Sequence, residues 1–380
     1  RLADRAARLY APAVHLLGLL TFIGWMLLGH GWEQALTAAI AVLIITCPCA
    51  LALAVPAVQV AASSRLFGQG VLVKAADGLE RLSEVDTIVF DKTGTLTMGE
   101  PRLVDPQSSS DELLSRAAAL AAASRHPYAR AVVKEARARG LDPVAATNVR
   151  EVPGAGLARE TEHGEERLGS AAWCGVSGET GDLATLWFKP ADGDPVALRF
   201  EDQLRPDAAE VISTLKNAGY RIELLSGDRP AAVEVAARET GIEHWHARQN
   251  PAQKIARLEA LRAEGRKVLM VGDGLNDAPA LAAAHASISP STAADISQTT
   301  ADLVFQGERL GSVVEALAVA KASHRMALQN FGLSLAYNTI FVPLAVAGYA
   351  TPLIAAIAMS SSSIAVTANA VRLRSKRLKV

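Results

Sequence analysis

Asp91-Lys92-Thr93-Gly94-Thr95 follows directly on Thr87-Ile88-Val89-Phe90. A short run rich in β-branched and aromatic residues, ending in a polar turn with a glycine, reads as a buried strand running into a loop. A carboxylate at such a strand end is placed to act as a nucleophile. The hydroxyls and backbone N–H groups of the turn suit phosphate oxygens. Two further strand patterns end the same way. Arg221-Ile222-Glu223-Leu224-Leu225 runs into Ser226-Gly227-Asp228, and Lys267-Val268-Leu269-Met270-Val271 into Gly272-Asp273-Gly274-Leu275-Asn276-Asp277. Helical patterns over 231–240 and 253–263 separate them. This alternation predicts an α/β fold, a doubly wound parallel sheet with its ligand at the carboxyl ends of the strands. Carboxylates of the 272–277 cluster suit Mg²⁺ held against a phosphoryl group, and Gly272 and Gly274 let the backbone come close. Ser226 brings a hydroxyl to the same rim. Lys254, opening a helix, is placed to neutralise transferring charge.

Around this block the composition changes. The 380 residues carry 39 acidic and 38 basic side chains, a net charge of -1, and half the residues are hydrophobic. No basic surplus exists to meet phosphates along a duplex, which argues against a nucleic-acid partner. Mean hydropathy is +0.19, high for a soluble chain. Uncharged or nearly uncharged stretches run over 13–29, 35–62, 327–348 and 351–371. Each approaches the length of about 20 residues that crosses a bilayer, so four transmembrane helices in two hairpins are expected. Arg1, Arg5, Arg8, Arg65, Lys74, Arg325 and the basic run from Arg372 to Lys379 flank them, while neither hairpin turn has a Lys or Arg. The positive-inside rule then places both ends of the chain and its central block in the cytoplasm. The expected division is 1–72 membrane hairpin, 73–100 and 196–322 the two parts of the phosphorylation domain, 101–195 an inserted domain, and 323–380 the second hairpin.

Two weaker signals lie outside the sheet motifs. The insertion contains Ser124-Arg125-His126-Pro127 and Val152-Pro153-Gly154-Ala155-Gly156. An imidazole can stack on adenine and a Gly-x-Gly turn can approach a nucleotide, although alone each pattern is ordinary helix-edge or turn chemistry. In the second apolar stretch stands Cys47-Pro48-Cys49. Proline breaks the helix and leaves carbonyls without donors, and the flanking thiolates suit Cu(I) or Zn²⁺. Three cysteines make no disulfide framework, so the thiols are expected to be free, reactive or metal-binding, with Cys174 unassigned. The last two stretches hold no acidic or imidazole ligand but offer Tyr337, Asn338, Met359 and Ser360 to Ser363. A thioether beside two thiolates favours a soft monovalent ion, copper(I) with silver(I) as a mimic.

Asp91-Lys92-Thr93-Gly94-Thr95 together with Gly272-Asp273-Gly274-Leu275-Asn276-Asp277-Ala278-Pro279 resembles a P-type ATPase. The resemblance implies a haloacid-dehalogenase-like phosphorylation domain in which Asp91 takes the γ-phosphate of ATP. Asp273 would be a Mg²⁺ ligand beside Asp91 and the Thr93 carbonyl. Thr95, Ser226 and Lys254 would contact the phosphoryl group, and Lys92, Gly227, Asp228, Asn276 and Asp277 would complete the catalytic set. His126 with Gly154 and Gly156 resembles the α+β nucleotide-binding domain of the heavy-metal branch, which implies ATP contacts there and at Gly169. Arg125 stands where many relatives carry Glu, and Ser226 where Thr is common. Cys47-Pro48-Cys49, Tyr337-Asn338, and Met359 with Ser362-Ser363 are similar to the copper-transporting subclass. By that matching Cys47, Cys49, Tyr337, Asn338, Met359 and Ser363 are the copper ligands, and Asp4 resembles the cytosolic entry carboxylate. The Ser124-to-Pro127 and Ser226-to-Asp228 variants are similar to those of bacterial exporters that supply copper for cytochrome oxidase assembly.

These implications set the expectations. The chain is expected to export copper(I) across a bacterial plasma membrane, with ATP and Mg²⁺ and a cytosolic copper chaperone as partner. It opens on Arg1, and an actuator domain, earlier membrane helices and N-terminal metal-binding domains are expected upstream, so this part alone would not turn over normally. The rivals are a zinc or cadmium pump of the same family, a membrane-anchored phosphatase, and a non-catalytic metal-binding membrane protein. Related soluble phosphatases carry a second Asp two residues after the nucleophile as general acid/base. Here that residue is Thr93, which favours a phosphoenzyme that persists long enough to drive a conformational change.

Overall fold

The computed structural model describes residues 2–47, 49–104, 110–177, 184–273, 277–290, 300–375 and 378, without the side chains of 2–11, 50, 51 and 100. Of the expected site residues, Asn276 and the side chain of Asp4 lie outside the described set. The chain divides into two compact units. One comprises 1–85, 302–306 and 312–380, the other 86–301 and 307–311.

The second unit is built on the predicted parallel sheet. Its strands lie in the order Ala286–Pro290, Val268–Val271, Thr87–Asp91, Arg221–Leu225, His244–His246, all parallel to their neighbours. Thr87–Asp91 comes first in sequence but sits in the middle, with later strands added to both sides. A doubly wound sheet of this order has its switch point beside the first strand, so the crevice opens at the ends of Thr87–Asp91 and Val268–Val271. Both strands are buried along their whole length, as strands covered by helices on both faces must be. Pro251–Ala263 lies over one face, where Leu258 and Leu261 pack with Val89, Leu225, Val268 and Met270.

Inserted after the first strand is a six-stranded antiparallel sheet in the order Thr97–Val104, Val196–Leu204, Ala184–Lys189, Gly164–Gly169, Gly156–Thr161, Arg150–Val152. The helices Asp111–Ala121 and Pro127–Ala138 cover it around Leu114, Leu120, Val132, Phe188 and Phe200. Cys174 belongs to this lobe. It is fully buried and its Sγ donates to the Trp187 carbonyl at 3.2 Å. Burial pushes its thiol pKa up, so it is a core residue and an unreactive thiol. A thiol-alkylating reagent at neutral pH should leave Cys174 unmodified in the native protein and label it fully after denaturation. Mass spectrometry of the peptide checks this, and fast native labelling would refute it.

The first unit is largely helical. Leu2–Leu27 and Trp32–Ile45 form a hairpin turned at Gly29, whose φ of +84° suits only glycine without strain. Pro352–Val371 packs against both Trp32–Ile45 and Cys49–Phe67. The stretch read as one second span is thus two helices, with the break falling at the Cys-Pro-Cys motif. Among the described residues, Pro352–Arg374 is long and apolar enough to cross a membrane; Pro12–Leu27, Trp32–Ile45 and Ala52–Phe67 are apolar but shorter. The third apolar stretch lies in the 36-residue helix Gly311–Val346, whose first half is charged. Leu16, Leu19, Leu27, Leu335, Ile340, Ile357 and Ile364 are exposed along these helices. Arg65 ties three helix ends together, with Nη2 on Glu315 at 2.7 Å and Nη1 on the Leu373 carbonyl at 2.9 Å.

Candidate phosphorylation site

Asp91 closes its strand and is 5% exposed. The chain then turns through Gly94, at φ +72°, with Thr97 Oγ1 accepting from the Gly94 N–H at 3.1 Å and donating to the Lys92 carbonyl at 3.2 Å. Asp273, beyond the neighbouring strand, comes alongside this turn. A Cβ on Gly94 would stand 3.8 Å from its Oδ2. Gly272 makes room for Asp277, since a Cβ there would meet Asp277 Oδ2 at 2.9 Å.

Lys254 joins the two halves of the rim. Its Nζ donates to Asp91 Oδ1 and Asp277 Oδ1, both at 2.6 Å. It sits in the first turn of Pro251–Ala263, a start fixed by a reciprocal cap. The Gln253 N–H donates to Asn250 Oδ1 at 2.9 Å, and the Asn250 N–H to Gln253 Oε1 at 3.0 Å. Burial pushes the Asp91 carboxyl up to about 7; the Asp277 charge adds to this and Lys254 opposes it. Burial alone would lower the Lys254 pKa, but Asp91 and Asp277 outweigh it and hold the ammonium charged.

The remaining predicted residues gather around this group. Lys92 is buried and pairs with Asp228 at 2.5 Å and Asp202 at 3.5 Å. Ser226 is buried, its Oγ accepting from the Asp228 N–H at 3.1 Å. Thr93 and Gly227 are exposed at the mouth. Thr95 Oγ1 and Asp277 Oδ2 are buried with no hydrogen-bond partner among the described residues, a costly state for polar atoms unless a ligand satisfies them.

Motif reading missed several residues that shape this site. Arg205 is buried and donates from Nε to the Thr95 carbonyl at 2.7 Å, from Nη2 to that of Gly94 at 3.2 Å and from Nη1 to that of Gly307 at 2.9 Å. Asp202 pairs with Lys92 from the end of the inserted sheet. Glu223, fully buried, pairs with Arg257 on the helix of Lys254. The one sequence signal was the charge in Ile222-Glu223-Leu224, anomalous inside a strand pattern.

In the inserted lobe His126 is exposed and caps Pro127–Ala138, its Nδ1 accepting from the Tyr128 N–H at 3.3 Å. Gly154 lies in an open turn at φ +76°. Gly156 and Gly169 face each other across neighbouring strands, where a Cβ on either would run into the other's backbone. Their glycines are therefore required by strand packing.

Of the three cysteines, Cys174 in the inserted lobe is a free thiol, as expected; the two in the helical unit are not. The Cys47 and Cys49 sulfurs are joined in a disulfide at the break between Trp32–Ile45 and Cys49–Phe67. Tyr337 stacks on Phe341 at 5.0 Å and packs with Ala41, Val42 and Ile45, at the end of the helix just before Cys47. Asn338, Met359 and Ser363 are half-buried on their helices.

Residues 85–285 match the haloacid dehalogenase-like hydrolase family. Over 375 residues the chain is 49% identical to the nitrogen fixation protein FixI of Rhizobium meliloti, covering 98% of this chain and 49% of that one. It is 36% identical to the probable copper-exporting P-type ATPase V of Mycobacterium tuberculosis, covering 98% of this chain and 51% of the relative. The chain thus spans about half the length of the curated relatives it matches. A zinc-transporting PIB-type ATPase in its E2.Pi state superposes with a TM-score of 0.79 at 31% identity, over 98% of this chain and 64% of that one. The catalytic domain of the CPx-ATPase CopB-B is matched over 98% of its length at 30% identity, with a TM-score of 0.55. A haloacid-dehalogenase-like sheet carrying Asp91 and Asp273 at its switch point, an inserted antiparallel lobe and these relatives together place the chain in the heavy-metal P-type ATPase family.

Proposed function

We propose that the chain serves ATP-driven export of copper(I) across a bacterial plasma membrane, through an aspartyl phosphate at Asp91. The carrying observation is the buried Lys254 ammonium held between Asp91 and Asp277, with the Thr95 hydroxyl of the turn after Asp91 lacking a hydrogen-bond partner among the described residues. An Asp91 carboxylate oxygen attacks the γ-phosphorus of ATP, and the bond to the β–γ bridging oxygen breaks to release ADP. Lys254, Thr95 and Ser226 stabilise the charge that builds on the equatorial oxygens.

The donor set fits Mg²⁺. Asp273 reaches the Asp91 turn, and Mg²⁺ is ordinarily bound by one or two carboxylates with the rest of its shell from water and phosphate. Asp91, Asp273 and the Thr93 carbonyl would hold it, and when bound it neutralises phosphoryl charge. His126, Gly154, Gly156 and Gly169 are assigned to ATP, and residues 101–195 to the nucleotide-binding domain. Asp4 would receive the ion on the cytoplasmic side from a chaperone, with both chain ends and the central block cytoplasmic.

The choice of copper rests on Cys47, Cys49, Tyr337, Asn338, Met359 and Ser363, a set with soft sulfur donors and no carboxylate. A bound ion requires both cysteines as thiolates, so the pair must be reduced to load. The zinc-transporting structural relative motivates a zinc reading of the same site. Metal-dependent phosphoenzyme formation separates them. Under reducing conditions copper(I) should raise labelling from γ-labelled ATP several-fold, and Cys47→Ser should remove that stimulation. Stimulation by Zn²⁺ alone would establish the zinc reading instead.

A further inference from the structure

We propose that Glu223 is a positioning residue for phosphoryl transfer: through Arg257 it sets the register of the helix that bears Lys254 and so holds the Lys254 ammonium on Asp91. This rests on the reading of Asp91 as the phosphoryl acceptor.

Glu223 lies mid-strand between Ile222 and Leu224 and is 0% exposed. An ionised carboxylate in such a place is costly unless fully paired, and an apolar residue would fill the space at less cost. Arg257 grips it with both arms, Nε to Oε2 at 2.9 Å and Nη2 to Oε1 at 2.8 Å. Arg221 Nη2 reaches Oε1 at 2.7 Å, and His246 Nε2 stands 3.8 Å from Oε2. Burial opposes ionisation, but Arg257 and Arg221 outweigh it and hold the carboxyl below its ordinary range.

The position of this pair gives it a function. Arg257 is three residues from Lys254 on Pro251–Ala263, so the two lie on one face, about 4.5 Å apart along the axis at the standard helical rise. On the sheet, Glu223 is in register with Val89, two residues before Asp91 on the adjoining strand, and Leu225 is in register with Asp91. One buried carboxylate therefore references both the strand that carries the nucleophile and the helix that carries its cation. Apart from Lys254 itself, the helix is held here by Leu258 and Leu261, which join an apolar cluster with Leu225 and Val268. Such contacts are non-directional, whereas a bidentate guanidinium–carboxylate pair fixes both distance and orientation. Lys254 ends in a point charge on a flexible stem, so its two 2.6 Å contacts depend on where its backbone is held.

The test is single-turnover labelling of the intact membrane protein by γ-labelled ATP, with nucleotide affinity measured separately. Glu223→Gln should lower the labelling rate at saturating ATP about tenfold, leave ATP affinity within about twofold, and be largely rescued by the charge-retaining Glu223→Asp. If Glu223→Gln does not accumulate folded, Arg257→Gln, on the more exposed side of the pair, should give the same split. Wild-type labelling rates in these variants, or loss of affinity in parallel with rate, would overturn the positioning role. Absence of labelling in the wild-type protein would instead remove the phosphoryl-acceptor reading beneath it.

Discussion

Asp91→Asn is expected to abolish phosphoenzyme formation while leaving the fold intact. The amide keeps the shape of the carboxylate, and its oxygen can still accept from Lys254 Nζ, which stands 2.6 Å from Asp91 Oδ1. It lacks the anionic oxygen that must bond to phosphorus, and no other carboxylate ends the central strand. Stability should hold or rise. The carboxyl of Asp91 is pushed up to about 7 by burial and by Asp277, so at neutral pH folding confines a charge that this pocket opposes. Each unit of such a shift is worth about 1.4 kcal/mol. Because the native pKa is raised above the unfolded value, the wild-type side chain favours the native state least at high pH and most at low pH. An amide does not titrate, so the substitution removes this dependence, and the variant's gain over wild type should grow as pH rises from the ordinary carboxylate range to about 7 and level off above it. Acid-stable label from γ-labelled ATP and melting curves across pH measure both parts. Residual labelling above about one part in a thousand of wild type, a barrier difference of about 4 kcal/mol, would mean that another residue accepts the phosphoryl group.

The features that were legible in the sequence are those in which chemistry is written locally. Asp91 to Thr95 and Gly272 to Asp277 each sit at the end of a short apolar run, and the period of the pattern identifies both the strand and its loop. The switch point of the sheet brings these two segments together, which is why motifs about 180 residues apart share one rim. Lys254 was legible for a similar reason, as a lysine opening a helix just before the third of these strands. Arg205, Glu223 and Arg257 were not. Their partners are backbone carbonyls or side chains set by tertiary register, as with Arg205 and Thr95, 110 residues apart in the chain. Nothing in the spacing around Arg205 distinguishes it from a surface arginine. The second apolar stretch shows the opposite limit. Its composition reads as one span with a proline break at Cys47-Pro48-Cys49, and the backbone turns that break into two separate helices, Trp32–Ile45 and Cys49–Phe67. Gly156 and Gly169 were named for nucleotide contact through the resemblance, and their close approach across neighbouring strands is a second requirement that only the backbone shows.

Arg205→Met should be among the most destabilising single changes in the catalytic unit. The guanidinium fork satisfies the carbonyls of Gly94, Thr95 and Gly307 at once. A side chain of similar length without donors leaves the buried Thr95 carbonyl without this partner, and opens those of half-buried Gly94 and exposed Gly307 to water. The buried loss costs about 1–3 kcal/mol and the two wetter ones less, so a loss of about 2–3 kcal/mol follows. Two residues on, the buried Asp207 accepts from the backbone N–H groups of Leu310 and Gly311, both at 2.9 Å. The segment 205–207 thus holds both the turn after Asp91 and the residues 307–311. Burial lowers the Arg205 pKa, with Asp207 and Glu308 opposing, but an arginine stays charged throughout the accessible range. Its contribution is therefore insensitive to pH, unlike that of Asp91. Arg205→Lys keeps the charge but cannot span three carbonyls with one nitrogen, so it should recover less than half of the lost stability. Both variants should also slow labelling of Asp91, because the Gly94 and Thr95 carbonyls lose the anchor that shapes the turn. Denaturant unfolding followed alongside labelling decides the matter: an Arg205→Lys protein as stable as wild type would show that charge, and not the three-way fork, is what the site requires.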